Sequence, residues 1–119
     1  TIAKSIAIGN PADGYYGVKT VNESGGYGED VNDEEIVEAM KLMAETEGIF
    51  TETAGGVTLG VTQKLVKQGR IKPDEVTVIC VTGNGLKTVE ALAGHYPDLA
   101  VIEPKLDCFE EIYSNSITV

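Results

Sequence analysis

Residues 76–88 read VTVICVTGNGLKT, an apolar run that meets a glycine-containing loop. The run from Val76 to Val81 is β-branched or apolar throughout, which predicts a strand buried on both faces. Gly83 and Gly85 interrupt that run, and a helix is expected to follow over about 88–93. Because ligands bind at the carboxyl ends of the strands in open α/β sheets, this loop is the first candidate site.

The composition limits the possible partners. The chain has 119 residues and a net charge of −10, with only nine Lys and Arg. No nucleic-acid partner is expected, because phosphate backbones bind basic surfaces. No membrane partner is expected either, since no apolar segment approaches the roughly 20 residues that span a bilayer. Cys80 and Cys108 form no CxxC pattern, so we expect buried, reduced thiols, no metal site and a cytoplasmic location.

The clearest helix is predicted over about 33–47. Asn32 and Glu35 have the spacing of a capping box, in which each side chain binds an unpaired backbone N–H of the other residue. Apolar residues then recur at i, i+4 and i+7 from Ile36, and Gly48 stands where a helix commonly ends.

A second helix is predicted from Thr53 to about Gln68. Gly55, Gly56 and Gly60 each cost roughly 1 kcal/mol relative to Ala inside a helix. These small residues therefore indicate that something approaches the helix closely.

The remaining segments complete an alternation of helices and strands. They are an extended segment at 1–11, a loop at 12–30, short strands at 49–50 and 99–102, and a last helix at 107–113. The pattern predicts an α/β fold, a three-layer piece with a mostly parallel sheet flanked by helices. We expect one unit made of an extended or loop segment (1–31), an α/β core (32–103) and a tail (104–119).

The residues alone allow three interpretations of TGNGLK. It could cradle a phosphate on its backbone amides, although neither the GxxxxGK[ST] nor the GxGxxG spacing is present. It could be a tight turn that needs Gly for a positive φ, which is the default for a lone glycine turn. It could also present the Thr82 hydroxyl to a ligand, since that group both donates and accepts hydrogen bonds.

Four segments narrow this choice: IGNP (8–11), ESGG (23–26), NDEEIVEAMKLMAETEGIFTETAGG (32–56) and TGNGLK (82–87). In this order and spacing the chain resembles the carboxyl-terminal part of the threonine synthase family, a group of fold-type II pyridoxal-phosphate-dependent enzymes. The resemblance covers about residues 1–88, and TGNGLK is its most specific piece. The role of residues 89–119 is left open.

The resemblance implies an enzyme that converts O-phospho-L-homoserine and water to L-threonine and phosphate. Its cofactor would be pyridoxal 5′-phosphate, which serves such enzymes as an electron sink. Thr82 matches the hydroxyl residue that hydrogen-bonds the pyridine nitrogen of the cofactor. Gly83 and Asn84 would shape the loop beside that residue.

The other implied cofactor contacts come from earlier in the chain. Ile8 and Gly9 match a segment that runs past the cofactor ring. Glu52 matches an acidic residue near the ring, although Thr53 stands where the family usually has Pro. Without the resemblance, Glu52 would be an ordinary acidic residue at a helix start, and Lys4 and Lys87 would be solvated.

Two family motifs do not occur in these 119 residues: the lysine that carries the cofactor and the glycine-rich phosphate loop. The resemblance therefore implies that the chain alone is inactive and that its partner is the amino-terminal part of a larger enzyme. Exposed strand edges would also favour self-association. Two alternatives remain open, a fragment of a threonine or serine dehydratase and a non-enzymatic α/β binding module.

Overall fold

Helices supply the regular secondary structure of the residues that the structure describes. The computed structural model describes residues 1–97 and 99–113. The α-helices are α1 (Gly14–Ser24), α2 (Asp33–Glu47), α3 (Thr53–Lys67) and α4 (Leu106–Tyr113), and 3₁₀ turns cover Gly85–Lys87 and Val89–Leu92. None of these helices, within the ranges just given, is long and apolar enough to cross a membrane.

Helix α2 forms as its sequence predicts. The Asn32 side chain accepts a hydrogen bond from the Glu35 N–H, and the Asn32 N–H donates to the Glu35 carboxylate, both at 2.8 Å. The helix ends at Gly48, whose φ of 67° is left-handed. The capping box and the glycine stop are therefore confirmed, because both answer backbone groups that a helix end leaves unpaired.

The core lies where α2 packs on α3. Ile36 and Met40 of α2 are buried together with Ala3. A Cβ on Gly56 of α3 would lie 2.7 Å from the Ile36 carbonyl oxygen and 2.8 Å from Met40 Cγ. The two backbones thus approach too closely for a larger residue, which confirms the close approach predicted from the glycines of this helix.

Charged side chains of α2 bind α3 and the first residues of the chain at the surface. Lys64 of α3 lies 2.9 Å from the Glu35 carboxylate of α2, and its hydrogen bond is the main cause that lowers the pKa of Glu35. Asp33 accepts hydrogen bonds from the Ile2 N–H and the Thr1 hydroxyl, which lower its pKa. Both carboxylates are therefore stabilised in their charged forms by contacts that the fold creates.

The predicted sheet does not form in the part of the chain that the structure describes. The strands expected at 49–50, 76–81 and 99–102 are absent, and one antiparallel bridge, Thr51 to Asn84, is the only β-pairing over residues 1–97 and 99–113. Val76 and Val78 are 95% and 83% exposed, and Cys80 is exposed rather than buried. A strand needs a partner for its backbone groups, and no described segment makes a backbone hydrogen bond with this one.

The loop predicted over 12–30 is wrong for Gly14–Ser24, which form α1. The helix ends at Gly25 with a φ of 68°, a left-handed stop of the kind that correctly predicted the end of α2. It buries none of its residues. Its formation is therefore local, and the absence of a core-facing stripe is why the apolar pattern did not reveal it.

Three other segments differ less from expectation. The extended segment at 1–11 is interrupted by a turn, in which the Ile6 N–H donates to the Ala3 carbonyl at 3.1 Å. The helix expected at 88–93 is a short 3₁₀ turn over Val89–Leu92. The last predicted helix is confirmed as Leu106–Tyr113.

Candidate functional site

The TGNGLK loop is bound to the segment that leads into α3. The Glu52 N–H donates to the Gly83 carbonyl at 3.0 Å, and the Gly85 N–H donates to the Phe50 carbonyl at 3.0 Å. Between them lies the antiparallel bridge from Thr51 to Asn84. We call residues 50–53 and 82–88 together the junction.

Side chains extend these backbone contacts to the start of α3. Glu52 is the N-cap residue of α3, but its side chain makes no capping hydrogen bond. Instead, the Thr53 N–H donates to the Thr88 hydroxyl at 3.3 Å. The Asn84 side chain accepts from the Leu86 N–H at 2.9 Å and so starts the 3₁₀ turn. A residue 35 positions later in the chain therefore satisfies an N–H that a helix start leaves unpaired.

The glycines of the loop are explained by close contact rather than by backbone conformation. Neither Gly83 nor Gly85 has a positive φ. A Cβ on Gly83 would lie 2.6 Å from Glu52 Cγ, and one on Gly85 would lie 2.5 Å from the Phe50 ring. The interpretation of TGNGLK as a turn that needs Gly for a positive φ is therefore wrong.

The junction encloses a carboxylate. The Glu52 side chain is 7% exposed, and its Oε2 lies 2.9 Å from Lys87 Nζ. The two atoms form an ion pair, but their geometry does not meet the criteria for a hydrogen bond. Lys87 itself is 63% exposed. Most of the Lys87 side chain is therefore solvated as expected, although its ammonium group pairs with Glu52. The Thr53 hydroxyl is also buried and has no hydrogen-bond partner among the described residues.

The structure brings four of the predicted site residues together. Thr82, Gly83, Asn84 and Glu52 all belong to the junction. Thr82 is exposed, and no residue in the described ranges hydrogen-bonds its hydroxyl, so this group is open to a ligand.

Two predicted site residues lie apart from the junction. Ile8 is 62% exposed, and a Cβ on Gly9 would meet no atom within 4 Å. In the described ranges no hydrogen bond joins either residue to the junction.

Sequence reasoning missed three residues that build the junction: Phe50, Thr51 and Thr88. The Thr51 hydroxyl donates to the Glu52 carbonyl at 3.2 Å and lies 3.3 Å from the Gly83 carbonyl. Phe50 contributes the ring beside Gly85, and Thr88 contributes the cap of α3. No single-sequence signal marks these contacts, because each joins residues more than 30 positions apart or depends on such a contact.

The chain is similar to several curated threonine synthases over most of its length. A threonine synthase from Methanocaldococcus jannaschii is 47% identical over 76% of the chain, and one from Bacillus sp. (strain ULM1) is 42% identical over 90%. A threonine synthase from Methanosarcina acetivorans is 36% identical over 93%. These matches cover 22%, 28% and 27% of the relatives, so the chain spans about a quarter of their length.

The comparisons also extend the resemblance along the chain. Matches over 90% and 93% of its length include residues beyond 88, where the motifs quoted above end. The resemblance to threonine synthases is confirmed. Residues 1–83 match the family described as "Pyridoxal-phosphate dependent enzyme", and the chain belongs to this family.

Proposed function

We propose that the chain is the carboxyl-terminal portion of a cytoplasmic threonine synthase, which converts O-phospho-L-homoserine and water to L-threonine and phosphate. The observation that carries this proposal is the junction. It holds the TGNGLK loop by two backbone hydrogen bonds at 3.0 Å and leaves the Thr82 hydroxyl open to a ligand. The threonine synthases that are 36–47% identical to the chain supply the reaction.

The residues of the junction fit a pyridoxal phosphate ring. A hydroxyl such as that of Thr82 can donate to a neutral pyridine nitrogen, which needs only one donor. The nearby Glu52 carboxylate is buried and paired with Lys87, so it is not offered to that nitrogen. When bound, the cofactor supplies an electron sink for bond changes in the substrate.

The chain's own residues would position and orient the cofactor ring. We infer that the Thr82 hydroxyl hydrogen-bonds the ring nitrogen, while Gly83 and Asn84 hold the loop in place against the start of α3. The Glu52 side chain supports the loop through its contact with Gly83. In the assembled enzyme Ile8 and Gly9 would run past the ring.

We also infer that the partner of this chain is the remainder of the enzyme. The segment Val76–Val81 makes no backbone hydrogen bond with the described residues and is apolar on both faces. Beside it lies a mostly apolar cavity of about 480 Å³. It is lined by Leu42, Met43, Thr46, Glu47, Ile49, Leu59, Ile79 and Val81. A neighbouring strand would complete the mostly parallel, three-layer arrangement that these features favour.

A chimaeric enzyme tests the proposed function. In it, this chain replaces the matching part of the Methanocaldococcus jannaschii threonine synthase, to which it is 47% identical over 91 residues. We expect the chimaera to release phosphate from O-phospho-L-homoserine. The chain alone should release none and should form no saturable absorbance band with pyridoxal phosphate. Borohydride reduction followed by mass spectrometry should find no single labelled lysine in it.

The other outcomes separate the alternatives. A chimaera that forms 2-oxo acids from threonine or serine but releases no phosphate would indicate a dehydratase. A folded chimaera that binds no cofactor would favour a non-enzymatic module. Stoichiometric labelling of one lysine in the chain alone would contradict its inactivity as a fragment.

The exposed segment leads to a prediction about association. We expect the isolated chain to form dimers through Val76–Val81, because unpaired strand edges recruit other strands. Val78→Lys should return the protein to monomers, since a charge on the pairing segment opposes edge-to-edge association. Sedimentation velocity over a concentration series measures this.

The control for this prediction is Val18→Lys, at an exposed position of α1 outside the segment. It should leave the dimer intact. Sedimentation of the unmodified chain as a monomer at every concentration would refute the prediction.

A further inference from the structure

We propose that Lys87 is a positioning residue, whose ammonium group neutralises the buried Glu52 carboxylate and thereby holds the TGNGLK loop on the start of α3. The proposed function enters only in naming what the Thr82 hydroxyl would face. The role of Lys87 concerns the free chain and can be tested without any cofactor.

The first argument is the unequal burial of the two ions. The carboxylate of Glu52 is almost fully enclosed, whereas most of Lys87 is in solvent, and the two charged atoms lie 2.9 Å apart. Among the described residues, Lys87 is the one cation within ion-pair distance of Glu52. A carboxylate removed from water is strongly disfavoured unless it is paired, so this lysine supplies a charge that the junction needs.

The second argument is the place of Glu52 beneath the loop. Its Cγ and carboxylate fill the space where a Cβ of Gly83 would stand, and Gly83 directly follows Thr82. Movement of the Glu52 side chain toward water would therefore remove the contact that supports the loop at Gly83. Lys87 prevents this movement because it reaches the carboxylate from the far end of the same loop.

The third argument is that the ion pair is one of several contacts that join the loop to the start of α3. From Gly83 to Thr88 the loop is tied to the α3 start by two backbone hydrogen bonds, by the Thr88 hydroxyl and by Lys87. Ion pairs between two exposed residues contribute little, since water screens both charges. This pair differs because loss of Lys87 would leave its partner buried and uncompensated.

Amide hydrogen exchange on the 119-residue chain tests the proposal. The reporters are the N–H groups of Glu52, Thr53 and Gly85, which all bond across the junction. In Lys87→Met we expect these amides to exchange about 10-fold faster, because the junction opens more often. Amides in the middle of α2 should keep their rates.

Two further variants distinguish charge pairing from simple contact. Lys87→Arg should retain the slow exchange, because it keeps a cation in reach of the carboxylate. The double variant Glu52→Gln with Lys87→Met should also exchange slowly, since it removes the buried charge together with its partner. Lys19→Met is the matched control, because Lys19 pairs at 3.8 Å with the exposed Glu23 on α1.

Three results would overturn the proposal. They are unchanged exchange in Lys87→Met, a double variant that exchanges as fast as this single variant, and equal acceleration in α2 and the junction. All are measured without cofactor. An inactive chimaera would therefore count against the proposed function and leave the role of Lys87 standing.

Discussion

Gly56→Ala should lower the free energy of unfolding by about 2 kcal/mol, although alanine is the better helix former. The added Cβ would stand 2.7 Å from the Ile36 carbonyl oxygen, 2.8 Å from Met40 Cγ and 3.0 Å from Ile36 Cγ2. A backbone carbonyl cannot turn aside as a side chain can, so α3 must move away from α2. That movement would open the core, because Ile36 and Met40 are its largest members.

Urea unfolding followed by far-ultraviolet circular dichroism measures this effect. The matched control is Gly17→Ala, the same substitution in the interior of α1, where a Cβ meets no atom within 4 Å. There the gain in helix propensity should act alone and stabilise the helix by up to about 1 kcal/mol. If both variants were stabilised alike, the close packing of α2 on α3 would be disproved.

Helix α2 was predictable from the sequence because both of its end signals are local, whereas α1, which has no core-facing apolar stripe, was missed. The capping box at Asn32 and the stop at Gly48 lie within one helix turn of the groups they satisfy, and α2 formed as expected. The sheet was not predictable in the same way. An apolar pattern such as Val76–Val81 shows that the residues favour a strand, but a strand forms only when a neighbouring strand supplies backbone hydrogen bonds.

The residues of the site also differ in how far they could be predicted from the sequence. Gly83, Asn84 and Glu52 could be singled out from the sequence and lie together in the structure. The Lys87 ion pair and the Thr88 cap of α3 could not be, since each joins residues 35 positions apart in the chain. One of the three interpretations of the loop glycines, a positive φ, was wrong, because only coordinates distinguish a crowded Cβ from a positive φ.

Thr82→Val should lower kcat/KM of the chimaeric enzyme for O-phospho-L-homoserine by about 10- to 100-fold. Valine has nearly the shape of threonine but lacks the hydroxyl, so the pyridine nitrogen would lose the donor that we propose for it. An unpaired polar atom in a closed site costs about 1–3 kcal/mol, and each 1.4 kcal/mol corresponds to roughly a tenfold change in rate. Steady-state phosphate release measures the change.

Thr82→Ser is the matched control, because it keeps the hydroxyl and should retain most of the activity. The absorbance spectrum of the bound cofactor gives a second measurement, since loss of a hydrogen bond at the ring nitrogen should shift its band in Thr82→Val and leave it in place in Thr82→Ser. Thr82 is exposed and makes no hydrogen bond with the described residues, so Thr82→Val should not change the urea midpoint of the chain alone. Equal activity of the valine and serine variants would show that the hydroxyl contacts no reacting group, and the ring nitrogen would then have to be held from another part of the enzyme.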